Sequence, residues 1–309
     1  MTNGASTERV RPAIPVASAF AGAAARKQPG PLPVRTAYGQ HAAVSWMPRL
    51  RRVANALVAP LHQRVRRGEG GLFLVNAALA LQWHPVGEGL GLAAISLGCL
   101  LALYLFNDVV DARDDQHNPK KNRFLAAMYS RNRSTFFGVW VLLTGLVIAP
   151  AAWLDARAAA AVLAVTLVNV TYSLLCKKVP LLDVVWVGLW GGVYASIVTS
   201  SPAWILMVAA MTAVCQIYQT CEDRGADARN GVATSATLAA PVLSLLQAGL
   251  AGVLVVTAWS VESGTAAVAF AGLFAYWLAW RDQPRTPWIL AKAHFSVVCA
   301  YLLLRGSGG

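Results

Sequence analysis

Asn107-Asp108-Val109-Val110-Asp111-Ala112-Arg113-Asp114-Asp115 follows an apolar run, residues 89–106, that contains no charged side chain. A second acidic stretch, Glu222-Asp223-Arg224-Gly225-Ala226-Asp227, closes another apolar run more than a hundred residues later. The chain has 14 Asp and Glu residues in all, and seven of them lie in these two stretches. The remainder is 57% hydrophobic with a mean hydropathy of +0.51. Apolar runs of this length read as membrane spans, and carboxylates gathered at their ends repel one another unless cations neutralise them. The sequence therefore describes a membrane protein with a functional site at the ends of two spans.

Polar and Pro/Gly breaks cut the chain into nine candidate helices, most long enough to cross a hydrocarbon core of ~30 Å. They fall at roughly 70–86, 89–106, 135–153, 158–175, 181–198, 203–221, 236–259, 264–280 and 287–304. The first is the weakest, interrupted by Trp83-His84-Pro85. Backbone in a bilayer must satisfy its own hydrogen bonds, and runs this long without alternation mean helices rather than a barrel. The expected fold is all-α, polytopic, with nine transmembrane helices in residues 68–305.

The 26 Lys and Arg residues set the orientation. With the N-terminus in the cytoplasm, 23 of them fall on the cytoplasmic side and only Arg157 and Arg305 outside, with Lys292 inside the last span and expected to snorkel toward its cytoplasmic end. Both acidic stretches then face the cytoplasm, and the expected location is a bacterial inner membrane. The net charge of +12 calls for anionic lipid and an anionic substrate, not nucleic acid. Residues 1–45, rich in Ala, Pro, Gly and Arg, form an expected disordered tail. In residues 46–67, Leu50, Val53, Leu57, Leu61 and Val65 recur at helical spacing opposite Arg49, Arg52, Arg64 and Arg67. That pattern fits an amphipathic helix on the inner membrane surface; a solvated linker is the alternative. The five cysteines form no C-x-x-C pair, so neither a disulfide framework nor a zinc site is indicated.

On a continuing helix, Asn107, Asp111 and Asp115 share a face at i, i+4, i+8, with Asp108 one turn from Asp111. Asp223 and Asp227 repeat the i, i+4 spacing. Facing oxygen clusters of this kind suit Mg²⁺, which prefers hard ligands and keeps places for water and substrate phosphate. Lys120, Lys121, Arg123, Lys177 and Lys178 surround them, as a leaving diphosphate requires. A soluble nucleotide needs no bundle of spans; an isoprenoid diphosphate, with a tail that partitions into lipid, does.

Asn107-Asp108-x-x-Asp111-x-x-x-Asp115 resembles the first motif of the UbiA superfamily of intramembrane prenyltransferases. Asp223-x-x-x-Asp227-x-x-x-Gly231-x-x-Thr234 resembles the second, and Tyr172-Ser173-Leu174-Leu175-Cys176-Lys177-Lys178-Val179-Pro180 is similar to the family's Tyr-Ser…Lys-Lys/Arg-x-Pro stretch. The resemblance implies a UbiA-like bundle with a cytoplasm-facing active-site cavity and two Mg²⁺ ions, replaceable by Mn²⁺. Asp108, Asp111 and Asp115 would hold one ion, with Asn107 as ligand or orienting amide; Asp223 and Asp227 would hold the other. Lys177, Arg123, Lys121 and Lys178 would bind the diphosphate, and the Tyr172 ring would stabilise the allylic cation. The implied partners are a prenyl diphosphate donor, a lipophilic acceptor and membrane lipids. Arg123 precedes Phe124 where many members have Arg-Pro, and Gly225 stands where a Glu is common; both departures bear on the acceptor.

Asp114 reads as solvated. Lys178 serves equally well as a cytoplasmic anchor. Asp183 reads as a helix N-terminal carboxylate or, less simply, as a group steering the acceptor. Asn76 and Asn169 either line the cavity or bond between helices. Besides prenyl transfer, the same ligands serve a terpene cyclase, in which the cation is captured intramolecularly. Transport and phosphoribosyl transfer fit less well: no internal repeat is evident, and the second motif is intact.

Overall fold

The computed structural model describes residues 64, 70–116, 121–229, 231–261, 288–293, 295–297 and 300. The expected tail, all of the expected amphipathic helix but Arg64, and the eighth expected span lie outside these residues; the ninth is described only in part. Among the described residues there are helices and no strands.

The order is α1 (Gly71–Trp83), α2 (Val86–Val110), a helical turn (Ala112–Asp115), α3 (Arg123–Arg131), α4 (Arg133–Leu154), α5 (Ala156–Thr171), a π-helical turn (Tyr172–Cys176), α6 (Leu182–Ala195), α7 (Pro202–Arg229), a 3₁₀ turn (Ser235–Thr237) and α8 (Ala240–Val261). Five segments are long and apolar enough to cross a membrane: Val86–Val110, Arg133–Leu154, Ala156–Cys176, Pro202–Gly225 and Ala240–Thr257. α1 and α6 are shorter apolar helices. Leu142, Trp153, Leu167, Leu245 and Val256 point outward and are well exposed, so the bundle is apolar on its outside as well as in its core. Helices hydrophobic all round are what a bilayer accommodates.

Each of these apolar helices packs on its sequence neighbour, α1 on α2, α2 on α4, then α5, α6, α7 and α8 in turn. α6 and α7 pack closely through small residues. Gly188 and Gly192, one turn apart, face Ala209 and Ala213, and a Cβ on Gly191 would sit 2.2 Å from the Thr212 hydroxyl. Without a hydrophobic drive between helices in lipid, such small-residue faces hold spans together. Buried polar groups add bonds: Asn76 donates to the Tyr194 carbonyl at 2.9 Å, and the Tyr194 hydroxyl donates to the Ser96 carbonyl at 2.8 Å. Asn76 is thus an interhelical residue, away from the cavity.

Two features depart from the expected spans. α3 occupies what the sequence reads as a loop: Asn122 caps it, accepting from the Phe124 and Leu125 amides at 3.1 and 3.2 Å, and Leu125, Ala126 and Tyr129 are buried. α7 runs on past the expected end at 221 and carries the whole second acidic stretch as unbroken helix.

Candidate active site

A cavity of about 510 Å³ opens where α2, α5 and α7 end, with α3 along one side. The amide of Asp111 still bonds to the Asn107 carbonyl, and that of Asp115 to the Asp111 carbonyl, both at 2.9 Å. Helical register therefore survives the end of α2, and Asn107, Asp108, Asp111 and Asp115 all line the cavity. Asp114 lies off this face, exposed, 3.4 Å from the equally exposed Lys178. From α7, Thr212, Cys215, Gln216, Gln219, Glu222 and Asp223 line the opposite wall at i, i+3, i+4, i+7, i+10 and i+11, one stripe of the helix. Asp227 is on the same helix one turn beyond Asp223 but is not among the lining residues.

Each carboxylate of the first stretch is met by a cation from elsewhere in the chain. Lys177 pairs with Asp111, Arg64 with Asp108, and Lys121 with Asp115 at 3.5 Å. Arg64 also lies over the Tyr104 ring, 3.8 Å from its centroid, so this one described residue of the segment expected along the membrane surface is at the site. Burial holds the Asp115 carboxyl above the usual carboxylate range; Lys121 and Lys177 work against that, while Asp111 and Asp108 add to it. Burial by itself would lower the Lys177 ammonium, but Asp111 beside it, with smaller contributions from Tyr172 and Asp115, raises it above the ordinary lysine value. The site is a crowded set of negative charges held in place by positive ones.

Tyr172 reaches the cavity through a change of helical pitch. At 3.6 residues per turn, side chains five positions apart point in clearly different directions. Here the Lys177 amide bonds to the Tyr172 carbonyl at 2.9 Å, an i to i+5 bond, and this wider turn puts Tyr172 and Lys177 on the same cavity wall. The Tyr172 hydroxyl accepts from Gln216 at 3.2 Å, and Ser173 donates to the Asn107 amide oxygen at 2.6 Å. Asn169 does both things the sequence allowed: it lines the cavity and donates to the Leu103 carbonyl at 3.2 Å.

Arg123 and Lys178 are not brought to the cavity. Arg123 is exposed at the start of α3. The structure adds residues that sequence reasoning did not place: Arg64, Tyr104, Tyr129, Gln216, Gln219, Glu222 and Trp288. The polar stripe along the sixth span was the available signal for those on α7. Lys292 lies on the cavity wall with its ammonium 3.2 Å from the centroid of the Trp288 ring, one turn back along its segment.

Among the described residues no three carboxylate, His or Cys groups converge closely enough to enclose a metal by themselves. The donor chemistry nevertheless fits Mg²⁺. Asn107, Asp108, Asp111, Asp115, Glu222 and Asp223 offer only hard oxygens around one cavity. Mg²⁺ is commonly held by one or two carboxylates while water and substrate phosphate complete its shell.

No curated protein sequence matches this one. Among solved structures, a UbiA homolog from Aeropyrum pernix K1, in apo form, superposes with a TM-score of 0.60 at 17% identity, covering 77% of this chain and 98% of the other. A UbiA homolog from Archaeoglobus fulgidus bound to DMAPP and Mg²⁺ gives 0.57 at 16% identity, covering 77% and 97%, and the same homolog bound to GPP and Mg²⁺ gives the same values. These likenesses establish a common fold. The sequence profile of the UbiA prenyltransferase family matches residues 71–297, most of the chain and all of the described cavity except Arg64, and this chain belongs to that family.

Proposed function

We propose that this chain is a Mg²⁺-dependent intramembrane prenyltransferase that ionises an allylic isoprenoid diphosphate and passes the prenyl group to a lipophilic acceptor, aromatic or isoprenoid. One observation carries the reading: a single cavity gathers Asn107, Asp108, Asp111 and Asp115 of the first acidic stretch, Glu222 and Asp223 of the second, and the cations Lys177, Lys121 and Arg64, together with Tyr172, Trp190, Val187, Leu72 and Phe295. A charged head and an apolar body are what a prenyl diphosphate presents. DMAPP and GPP, the ligands of the Archaeoglobus homolog, belong to this chemical class.

Asn107, Asp108, Asp111 and Asp115 would hold one Mg²⁺; Glu222 and Asp223, with Asp227 beyond them, would hold a second. Bound there, the metal supplies positive charge to the departing diphosphate. Lys177, Lys121 and Arg64 bind its oxygens as the C1–O bond breaks and the electron pair leaves with it. Arg123 and Lys178 are left out of this set by their position. The Tyr172 ring flanks the allylic cation, whose charge an aromatic face stabilises. A carbon of the acceptor forms the new bond and loses its proton.

The topology belongs to the same proposal: nine spans, the N-terminus and cavity mouth toward the cytoplasm, a basic segment at 46–67 on anionic lipid, and a bacterial inner membrane. The distribution of Lys and Arg supports it. The test is purified protein in detergent with Mg²⁺ and C10 to C20 prenyl diphosphates, with and without candidate acceptors. Donor consumed only when an acceptor is present supports transfer. Cyclic hydrocarbon or terpene alcohol formed without acceptor would make the chain a cyclase, and no consumption of any donor would overturn both readings.

A further inference from the structure

Asp183 is fully buried in the first turn of α6 and does not line the cavity, so it cannot steer an acceptor. Nor is it only a helix N-terminal carboxylate. One oxygen, Oδ1, accepts from the Val184 amide at 3.0 Å and from the Ser235 hydroxyl, while Oδ2 accepts from the Ser235 amide at 2.9 Å. The Ser235 hydroxyl oxygen in turn accepts from the Leu181 amide at 2.8 Å. Residues 52 positions apart thus form a closed set of hydrogen bonds between the start of α6 and the 3₁₀ turn after α7. Asp183 and Ser235 themselves are fully buried, where an unmade bond is costly.

Each of the two segments adjoins an element that lines the site, one at Lys177 and the other at the end of α7 beyond Asp223. Leu181 ends the turn that begins at Lys177, and its φ of 71° puts a leucine in the left-handed region, a conformation that persists only when its surroundings hold it. Pro180 stiffens the same turn. On the other side, α7 ends in a closed cap at Gly231, φ 66°. The Gly231 amide bonds to the Ala228 carbonyl at 3.3 Å and the Val232 amide to the Asp227 carbonyl at 2.9 Å. This explains the Asp227-x-x-x-Gly231 spacing as a helix stop. Ser235 lies four residues past that cap, so a shift of Ser235 is passed to the end of α7 that carries Asp223 and Asp227.

We propose that Asp183 and Ser235 are positioning residues: their hydrogen-bonded pair sets the spacing between Lys177 and the second acidic stretch, and through it the affinity of the site for a divalent cation with diphosphate. The inference rests on the prenyltransferase reading for the identity of that ligand.

The test uses full-length purified protein. Mn²⁺ binding is followed by electron paramagnetic resonance with inorganic pyrophosphate present, and the Mg²⁺ concentration for half-maximal turnover is measured beside it. Ser235→Ala removes only the hydroxyl link and should weaken Mn²⁺ binding and raise the Mg²⁺ requirement several-fold. Asp183→Asn should do more, and Asp183→Ala at least about tenfold, because displacements near 1 Å at a preorganised site can cost that much or more. Asp183→Ala with Ser235→Ala should be no worse than Asp183→Ala alone, since both break one network. Variants that melt at lower temperature yet bind Mn²⁺ like wild type, with an unchanged Mg²⁺ requirement, would reduce the pair to a structural tie and overturn the proposal. If Asp183→Ala does not insert, Ser235→Ala and Asp183→Asn decide by the same criterion. Wild type that binds Mn²⁺ and pyrophosphate without consuming any prenyl diphosphate would overturn the prenyltransferase reading instead, and the Mn²⁺ comparison among variants would still decide this one.

Discussion

The two acidic stretches have the same i, i+4 arithmetic and different architecture. The first straddles the end of α2, where Asp111 leaves regular helix and a short turn carries Asp115 onward, so four oxygen-bearing side chains meet the cavity. The second stays inside the unbroken helix α7, which presents Glu222 and Asp223 to the cavity and carries Asp227 one turn past it. The carboxylates of the first are matched one by one with Lys177, Arg64 and Lys121, drawn from three other segments. The first stretch is therefore a hub that ties Lys177, Arg64 and Lys121 to the end of α2. The second is one rigid wall, held in register by the Asp183–Ser235 bonds at its far end.

The largest expected effects fall equally on both. Asp111→Ala and Asp223→Ala should each lower turnover about a thousandfold or more, near 4 kcal/mol of transition-state stabilisation, with normal membrane insertion. Steady-state assays beside a fluorescence-detected size-exclusion profile check this. Wild-type rates in either variant would remove that stretch from the metal site. Lys177→Met should cost at least about tenfold, ~1.4 kcal/mol, in donor binding or ionisation. Arg64→Gln should cost less, because the Arg64 guanidinium divides its contacts between Asp108 and the Tyr104 ring. Deleting residues 2–67 should reproduce at least the Arg64 loss in liposome assays, whereas deleting 2–45 should leave activity within about twofold.

Metal-free stability separates the crowding of the first stretch from its chemistry. The Asp115 carboxyl holds its proton more tightly in the folded chain than in the unfolded one. Its contribution to stability is therefore complete below the ordinary carboxylate range and lost as pH rises through the raised value. In EDTA at neutral pH, Asp115→Asn should melt above wild type, with the gap closing by about pH 4. A lower melting temperature at neutral pH would show that the pair with Lys121 outweighs the burial. The smallest effects should come from Arg123→Gln and Lys178→Gln, each within about twofold in turnover, because exposed ion pairs contribute ~0–1 kcal/mol and neither residue lines the cavity. A tenfold loss in either would mean that the diphosphate lies farther toward the cavity mouth than the acidic stretches indicate.

Local spacing made the first stretch legible, because a helix carries its register through Asn107, Asp111 and Asp115 whatever packs around it. The same logic separated Asp114 from its neighbour Asp115. Span boundaries followed the apolar runs closely, with α4 and α5 within two residues of their expected starts. What local pattern does not encode is which distant groups meet. Arg64 with Asp108 and Asp183 with Ser235 are separated by 44 and 52 positions. α3 escaped because its nine residues are too few and too polar on average to read as a span, although Asn122 is a recognisable N-cap. The π-helical turn escaped because nothing in Tyr172-Ser173-Leu174-Leu175-Cys176 departs from an ordinary helical sequence, yet it brings Tyr172 and Lys177 onto one wall.

The central claim is that two acidic stretches on separate helices serve one metal–diphosphate site. Counting bound Mn²⁺ by electron paramagnetic resonance, with saturating inorganic pyrophosphate, tests it most directly. The expected stoichiometry is two ions per wild-type chain, and no more than one in either Asp111→Ala or Asp223→Ala. Two ions retained in either variant, or none bound to wild type, would contradict it.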